Sequence, residues 1–162
     1  MEIPDLESVD IALTTTRSVR RRIDWERPVP REVIERCIDI ATQAPTGRNA
    51  ENWRFLIVTD GEKKAAIGAL YQRALARLVD LRRLEAKAAQ QALADRLHEV
   101  PALILVCAMG QPPTEVSGQV SFYGSVLPAA WSLMLALRAR GLGTTWTSLH
   151  TLLAPEAAEL LG

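Results

Sequence analysis

Residues 41–55, Ala-Thr-Gln-Ala-Pro-Thr-Gly-Arg-Asn-Ala-Glu-Asn-Trp-Arg-Phe, hold the densest chemistry of the chain. A helix is predicted to end near Ala44, a tight turn to follow, and a strand to begin at Trp53. Pro45, Thr46, Gly47 and Asn49 suit a backbone that bends sharply and exposes amides and a side-chain amide. Upstream lies Thr14-Thr15-Thr16-Arg17-Ser18-Val19-Arg20-Arg21-Arg22, which gathers guanidinium and hydroxyl donors with no acid before Asp24. A polar turn and a donor-rich segment together can seat a flat, anionic cofactor. The same arginines could also serve as a solvated basic strand.

The elements that must position these residues follow from pattern. Asp5 can cap a first helix over 6–14, with Leu6, Val9, Ile11 and Leu13 as its apolar members. Segment 15–30 lacks a helical period and carries Pro28 and Pro30, so it reads as extended or loop. Over 31–44, Val33, Ile34, Cys37, Ile38 and Ala41 share one stripe, as in a half-buried helix. Trp53–Thr59 reads as a strand whose consecutive Phe55, Leu56, Ile57 and Val58 call for cover on both faces. From 62 to 99 there is no proline, and helix formers dominate, giving one long helix or two shorter ones. Residues 102–108 form a second buried strand and 110–118 a loop. Residues 125–140 are predicted as a helix apolar on nearly every side, with Ser125 as its N-cap, Arg138 and Arg140 in its last turn and Gly141 as its stop. Residues 143–147 read as a third strand and 155–161 as a last helix. So apolar a central helix calls for cover from a second subunit.

Four segments resemble the FMN-dependent nitroreductase family. They are Arg17-Ser18-Val19-Arg20; Ala44-Pro45-Thr46-Gly47 through Asn49 with Trp53-Arg54-Phe55; His98-Glu99-Val100-Pro101; and Gly124-Ser125 through Gly141-Leu142-Gly143-Thr144-Thr145-Trp146-Thr147. Each is weak alone; their order and spacing from about Leu13 to the last residue are specific. The resemblance implies an α+β fold, a three-layer sandwich with a central antiparallel or mixed sheet flanked by helices. It implies a homodimer with FMN at the interface and one domain over 1–162. Family members continue into a further strand and a wrapping extension, so the sequence is expected to be a fragment or a shortened member.

The resemblance also assigns roles. Arg17, Ser18 and Arg20 would meet the flavin, with Arg20 near the pyrimidine edge, where a cation stabilises the reduced ring. Pro45, Thr46, Gly47 and Asn49 would reach the ring or ribityl chain. A backbone N–H near Thr145, Trp146 and Thr147 would face flavin N5, so no side chain is needed as a catalytic group. Glu51 and Asn52 depart from the family's usual Gln and Pro, and Glu51 is read as facing solvent. Trp53 is read as core, His98 as a structural residue at a helix end, and His150 as a surface or interface histidine rather than an acid catalyst. The implied activity is a ping-pong transfer of hydride from NADPH or NADH through FMN to a nitroaromatic, quinone or similar acceptor. The alternatives are a flavin-binding or storage protein, or a flavin-cleaving or dehalogenating relative on the same fold.

Bulk properties bound the rest. With 162 residues, 19 basic and 19 acidic side chains, the balance argues against a general nucleic-acid or membrane-surface binder. The acidic start of the chain does not read as a signal peptide, and no charge-free run is expected to reach membrane-span length. Two cysteines, Cys37 and Cys107, fit buried thiols in a cytoplasmic, reducing setting more simply than a disulfide. No metal-ligand spacing, P-loop or nucleophile elbow is present.

Overall fold

The computed structural model describes residues 5–162. Its contacts gather into two compact units that share the chain in alternating pieces: 5–17, 29–56 and 104–144 in the first, 18–28, 57–103 and 145–162 in the second.

In the first unit, Asp5 caps helix α1 (Leu6–Thr15) by accepting from the Ser8 N–H at 3.2 Å. Helix α2 (Arg31–Ala41) follows Pro30, whose fixed φ suits a helix entry. Its stripe buries Ile34, Cys37 and Ala41. Cys37 and Ala41 meet Leu133, Ala136 and Leu137 of helix α6 (Leu127–Arg138), and Phe55, Ile104 and Val106 pack on the edge of that cluster. Three features end α6 as its sequence foretells: the Arg140 guanidinium donates to Ala136 O at 3.0 Å, Leu142 N–H donates to Leu137 O, and Gly141 takes φ 77°.

Strands β1 (Trp53–Val58) and β2 (Leu103–Ala108) form a two-stranded sheet. Met109 N–H donates to Asn52 O at 2.6 Å. The start of β1 therefore lies by the end of β2, and the pair is antiparallel. Cover on both faces is not found for β1: Trp53 and Phe55 are half-buried while Arg54 and Leu56 are exposed. Such alternation marks a strand with one open face.

Two further expectations are corrected. The loop over 110–118 gives way at Val116 to helix α5 (Val116–Gly124). The charge-free run 116–137 makes Val116–Arg138 long and apolar enough to cross a membrane by length and composition, although 44% of its most apolar window is buried in the protein. The third strand over 143–147 does not form; only Thr144 makes a single bridge.

In the second unit, the choice between one helix and two resolves as α3 (Gly61–Arg82) and α4 (Ala88–Arg96). Asp60 caps α3, accepting from the Lys63 N–H at 2.8 Å. Arg83 stops it in the left-handed region at φ 51°. Tyr71 and Leu75 of α3 pack with Leu93, Ala94 and Leu97, and Ile23 of the basic segment rests on the same cluster. Trp25 adds a second anchor, with the Arg96 guanidinium 4.3 Å from its ring centroid. Helix α7 (Ala154–Leu161) closes the unit, its Glu156 paired with Arg73.

Candidate functional site

The turn after α2, in the first unit, gathers three of the four non-glycine residues with positive φ among the described residues. Arg48 (φ 55°), Asn49 (φ 53°) and Glu51 (φ 45°) all stand in the left-handed region. Asparagine tolerates that region, but arginine and glutamate pay a steric cost there of about 1–3 kcal/mol each. Such strain persists only where surrounding contacts over-determine it. Here Thr46 and Ser125 supply them. Asn49 N–H donates to Thr46 O at 3.1 Å and Glu51 N–H to the Thr46 hydroxyl at 3.3 Å. Gly47 N–H donates to Ser125 Oγ at 2.8 Å, and that hydroxyl donates onward to Ser121 O at 2.8 Å. Ser125 is thus not the N-cap of a helix. It is a buried clamp at the α5–α6 junction that holds the turn.

Gly47 is required by this close approach. A Cβ there would stand 2.8 Å from Ser121 Oγ and 3.3 Å from Ser125 Oγ. Ser121 can rotate away, but Ser125 is fixed by its two hydrogen bonds. Gly47→Ala is therefore expected to destabilise the protein by about 1–2 kcal/mol, within the usual cost of overpacking. That would show as a drop in Tm of roughly 2–8 °C.

The strained turn presents its side chains outward: Pro45, Gly47, Arg48, Asn49 and Glu51 are exposed and Thr46 is half-buried. At its far end two buried polar atoms, Asn52 Oδ1 and Trp53 Nε1, lack hydrogen-bond partners. Unpaired buried groups of this kind are costly and call for a partner. Trp53 is half-buried against Phe55, with ring centroids 6.0 Å apart. Arg17, also in the first unit, is exposed and donates once, to Thr16 O at 2.8 Å, which leaves most of its guanidinium fork free.

The second unit holds the remaining residues singled out by sequence. Ser18 is exposed and Arg20 half-buried. Among the described residues the ion pairs are Arg31–Glu35, Arg73–Glu156 and Arg96–Glu99, so Arg17, Arg20, Arg21, Arg22 and Arg48 have no carboxylate partner there. Thr145 donates its hydroxyl to Val19 O, which ties the two stretches together. Thr147 Oγ1 lies 3.0 Å from the Tyr71 hydroxyl. Both threonine side chains are engaged inside the unit, so what this stretch offers outward is backbone and Trp146. Burial holds the His150 imidazole below its ordinary pKa and favours its neutral form. Arg96 draws the Glu99 carboxyl down. Burial raises the thiols of Cys37 and Cys107, both free, so neither is an activated nucleophile. No cluster of metal-ligating side chains occurs among the described residues.

The nitroreductase family's sequence profile matches residues 13–162, and the chain belongs to that family. It is 32% identical over 130 residues to a 5,6-dimethylbenzimidazole synthase of Rhodospirillum rubrum, covering 75% of this chain and 60% of that protein. It is 32% identical over 137 residues to an iodotyrosine deiodinase of Thermotoga neapolitana, covering 82% of this chain and 69% of that one. The chain thus spans about two thirds of the length of these two relatives. Among solved structures, an oxidised iodotyrosine deiodinase bound to FMN and 3-iodo-L-tyrosine superposes with TM-score 0.68 at 26% identity, over 92% of this chain and 81% of the other. An FMN-dependent nitroreductase from Mycobacterium smegmatis in complex with NADPH gives TM-score 0.72 at 19% identity, over 98% and 82%. At that identity the second likeness shows fold alone. The fold is nitroreductase-like α+β, rich in helix with a small antiparallel sheet, in a family of FMN-using oxidoreductases.

Proposed function

We propose that the protein binds FMN and works as an NAD(P)H-dependent oxidoreductase. The observation that carries this reading is the over-determined turn at Gly47–Glu51. Strained backbone of this kind clusters at ligand sites, so three non-glycine residues in the left-handed region within four positions support a binding role for this turn. Each unit offers donors that suit FMN. In the first unit, the free fork of Arg17 suits a phosphate and Asn49 suits a ring or ribityl oxygen. In the second unit, Ser18 and Arg20 supply a hydroxyl and a cation without a competing carboxylate, and Thr145–Thr147 supply backbone N–H groups. When bound, FMN would supply hydride transfer between NADPH or NADH and a nitroaromatic, quinone or similar acceptor. The chain itself contributes orientation, exclusion of water and a cation that favours the reduced ring. No acid–base pair is required of it.

A second copy of the chain completes this reading. Val116, Val120, Tyr123, Leu127 and Trp131 recur at helical spacing along α5 and α6 and are 39–75% exposed. Such a stripe is the kind of surface a homodimer covers. Two free thiols, one buried and one half-buried, suit a cytoplasmic setting.

The test is optical. The purified protein is expected to be yellow, to elute as a dimer and to bleach when NADPH or NADH is added without oxygen. A yellow protein that neither nicotinamide bleaches would instead support a binding or storage role. The 32% identity to a synthase and a deiodinase favours one rival reading, flavin cleavage or dehalogenation. Consumption of 3-iodotyrosine, or loss of the flavin itself during aerobic turnover, would mark that rival.

A further inference from the structure

Residues 145–147 alternate half-buried, exposed, half-buried. Thr145 and Thr147 turn their hydroxyls onto Val19 O and the Tyr71 hydroxyl within the second unit. Trp146 stands between them and is 40% exposed. Pinned backbone on both sides restrains the indole, yet among the described residues no aromatic ring or cation stacks on it: the close ring contacts are Trp53–Phe55 and Phe122–Tyr123, and the cation–π contact is Arg96 on Trp25. A restrained indole with an open face is a stacking platform. The Thr145–Val19 hydrogen bond sets this platform beside the start of the arginine run. Arg21 lies two residues past Val19, at most about 7.6 Å along the chain from Cα to Cα, and neither Arg21 nor Arg22 has an ion-pair partner among the described residues.

The geometry points to Trp146 as a specificity-determining residue that stacks on a planar aromatic acceptor bearing an anionic group, with Arg21 and Arg22 drawing in the charge. This rests on the flavoprotein reading above and names the substrate class of that site. An aromatic carboxylate or phenolate is preferred over its neutral counterpart because the adjoining segment is cationic with no acid before Asp24.

The experiment measures FMN content first, by absorbance per chain, in the wild type and in Trp146→Leu and Trp146→Phe. Binding of 4-nitrobenzoate and of nitrobenzene to the oxidised, FMN-loaded proteins then follows from flavin absorbance changes. Trp146→Leu is expected to keep its FMN and its dimer and to weaken 4-nitrobenzoate binding by about 5- to 50-fold, as loss of a stacking partner does. Trp146→Phe, which retains a ring, is expected to recover most of the affinity. In turnover, Trp146→Leu should raise KM by a larger factor than it changes kcat. The wild type should prefer 4-nitrobenzoate to nitrobenzene, and 0.5 M salt (a Debye length of about 4–5 Å) should erode that preference. FMN-loaded Trp146→Leu that binds 4-nitrobenzoate as tightly as wild type overturns the assignment and leaves the flavoprotein reading standing. So does a variant whose weaker binding accompanies loss of the dimer, because the indole is then an interface residue. A wild type that takes up no FMN overturns both.

Discussion

Arg20→Ala is expected to weaken FMN binding by roughly 10- to 150-fold. Arg20 is half-buried and, among the described residues, has no ion-pair partner that would hold it back from an anion. Removing it deletes one charge-assisted hydrogen bond, worth about 1.5–3 kcal/mol. Each 1.4 kcal/mol is tenfold in affinity. A matched control separates this from general charge loss. Arg31→Ala removes the same charge from an exposed pair with Glu35 one helical turn away, and such pairs contribute little. The apoprotein melting temperature of both variants should stay near wild type, while only Arg20→Ala loses flavin on dilution. The midpoint potential gives a second readout. With the cation gone, the reduced, anionic ring loses more than the oxidised ring, so the potential should fall. Unchanged affinity and potential would place the cofactor's charge elsewhere.

Much of the scaffold was legible because it rests on local signals. Asp5 caps a helix where an acid precedes a helical stripe, and Gly141 ends α6 where arginines gather in the last turn. The stripe of α2 buries the residues its period selects, Ile34, Cys37 and Ala41. What was missed depends on tertiary partners. Gly143–Thr147 has the β-prone composition of a strand, yet its threonine hydroxyls go to Val19 and Tyr71 and no ladder forms. The proline and glycine around Val116 read as loop, but the helix starts after Pro113 and tolerates Gly118 inside it. Ser125 has the right side chain for an N-cap, and the fold instead spends it on Gly47.

The strained turn was legible only in part. Pro45, Thr46, Gly47 and Asn49 together read as a sharp bend, but the role of Gly47 is proximity to Ser121 and Ser125. The left-handed conformations fall on Arg48, Asn49 and Glu51. Nothing in the identity of an arginine or a glutamate announces that geometry. It is imposed by a clamp whose other half is Ser125, 78 residues away. Glu51 does face solvent, as its charge beside a reduced flavin would require.

Leu133→Ala tests whether the core and the site are one cooperative structure. Leu133 is 4% exposed and packs with Cys37, Ala41, Ala136 and Leu137, so the same cluster fixes α6 and the end of α2 from which the turn departs. Two of its neighbours are alanines, which cannot swing into a void, so the cavity will collapse poorly. The expected cost is about 2–5 kcal/mol, a large part of the 5–15 kcal/mol that holds a typical domain together. Because FMN binds only the folded chain in this reading, excess flavin should restore part of the loss. At a hundredfold excess over Kd the gain is about 2.7 kcal/mol. The variant should therefore melt well below wild type as apoprotein and recover several degrees with added FMN, while Gly47→Ala, which disturbs the turn itself, should recover less. Equal recovery in the two variants would mean that the clamp at Gly47 and Ser125 serves the fold alone and that the flavin is held without it.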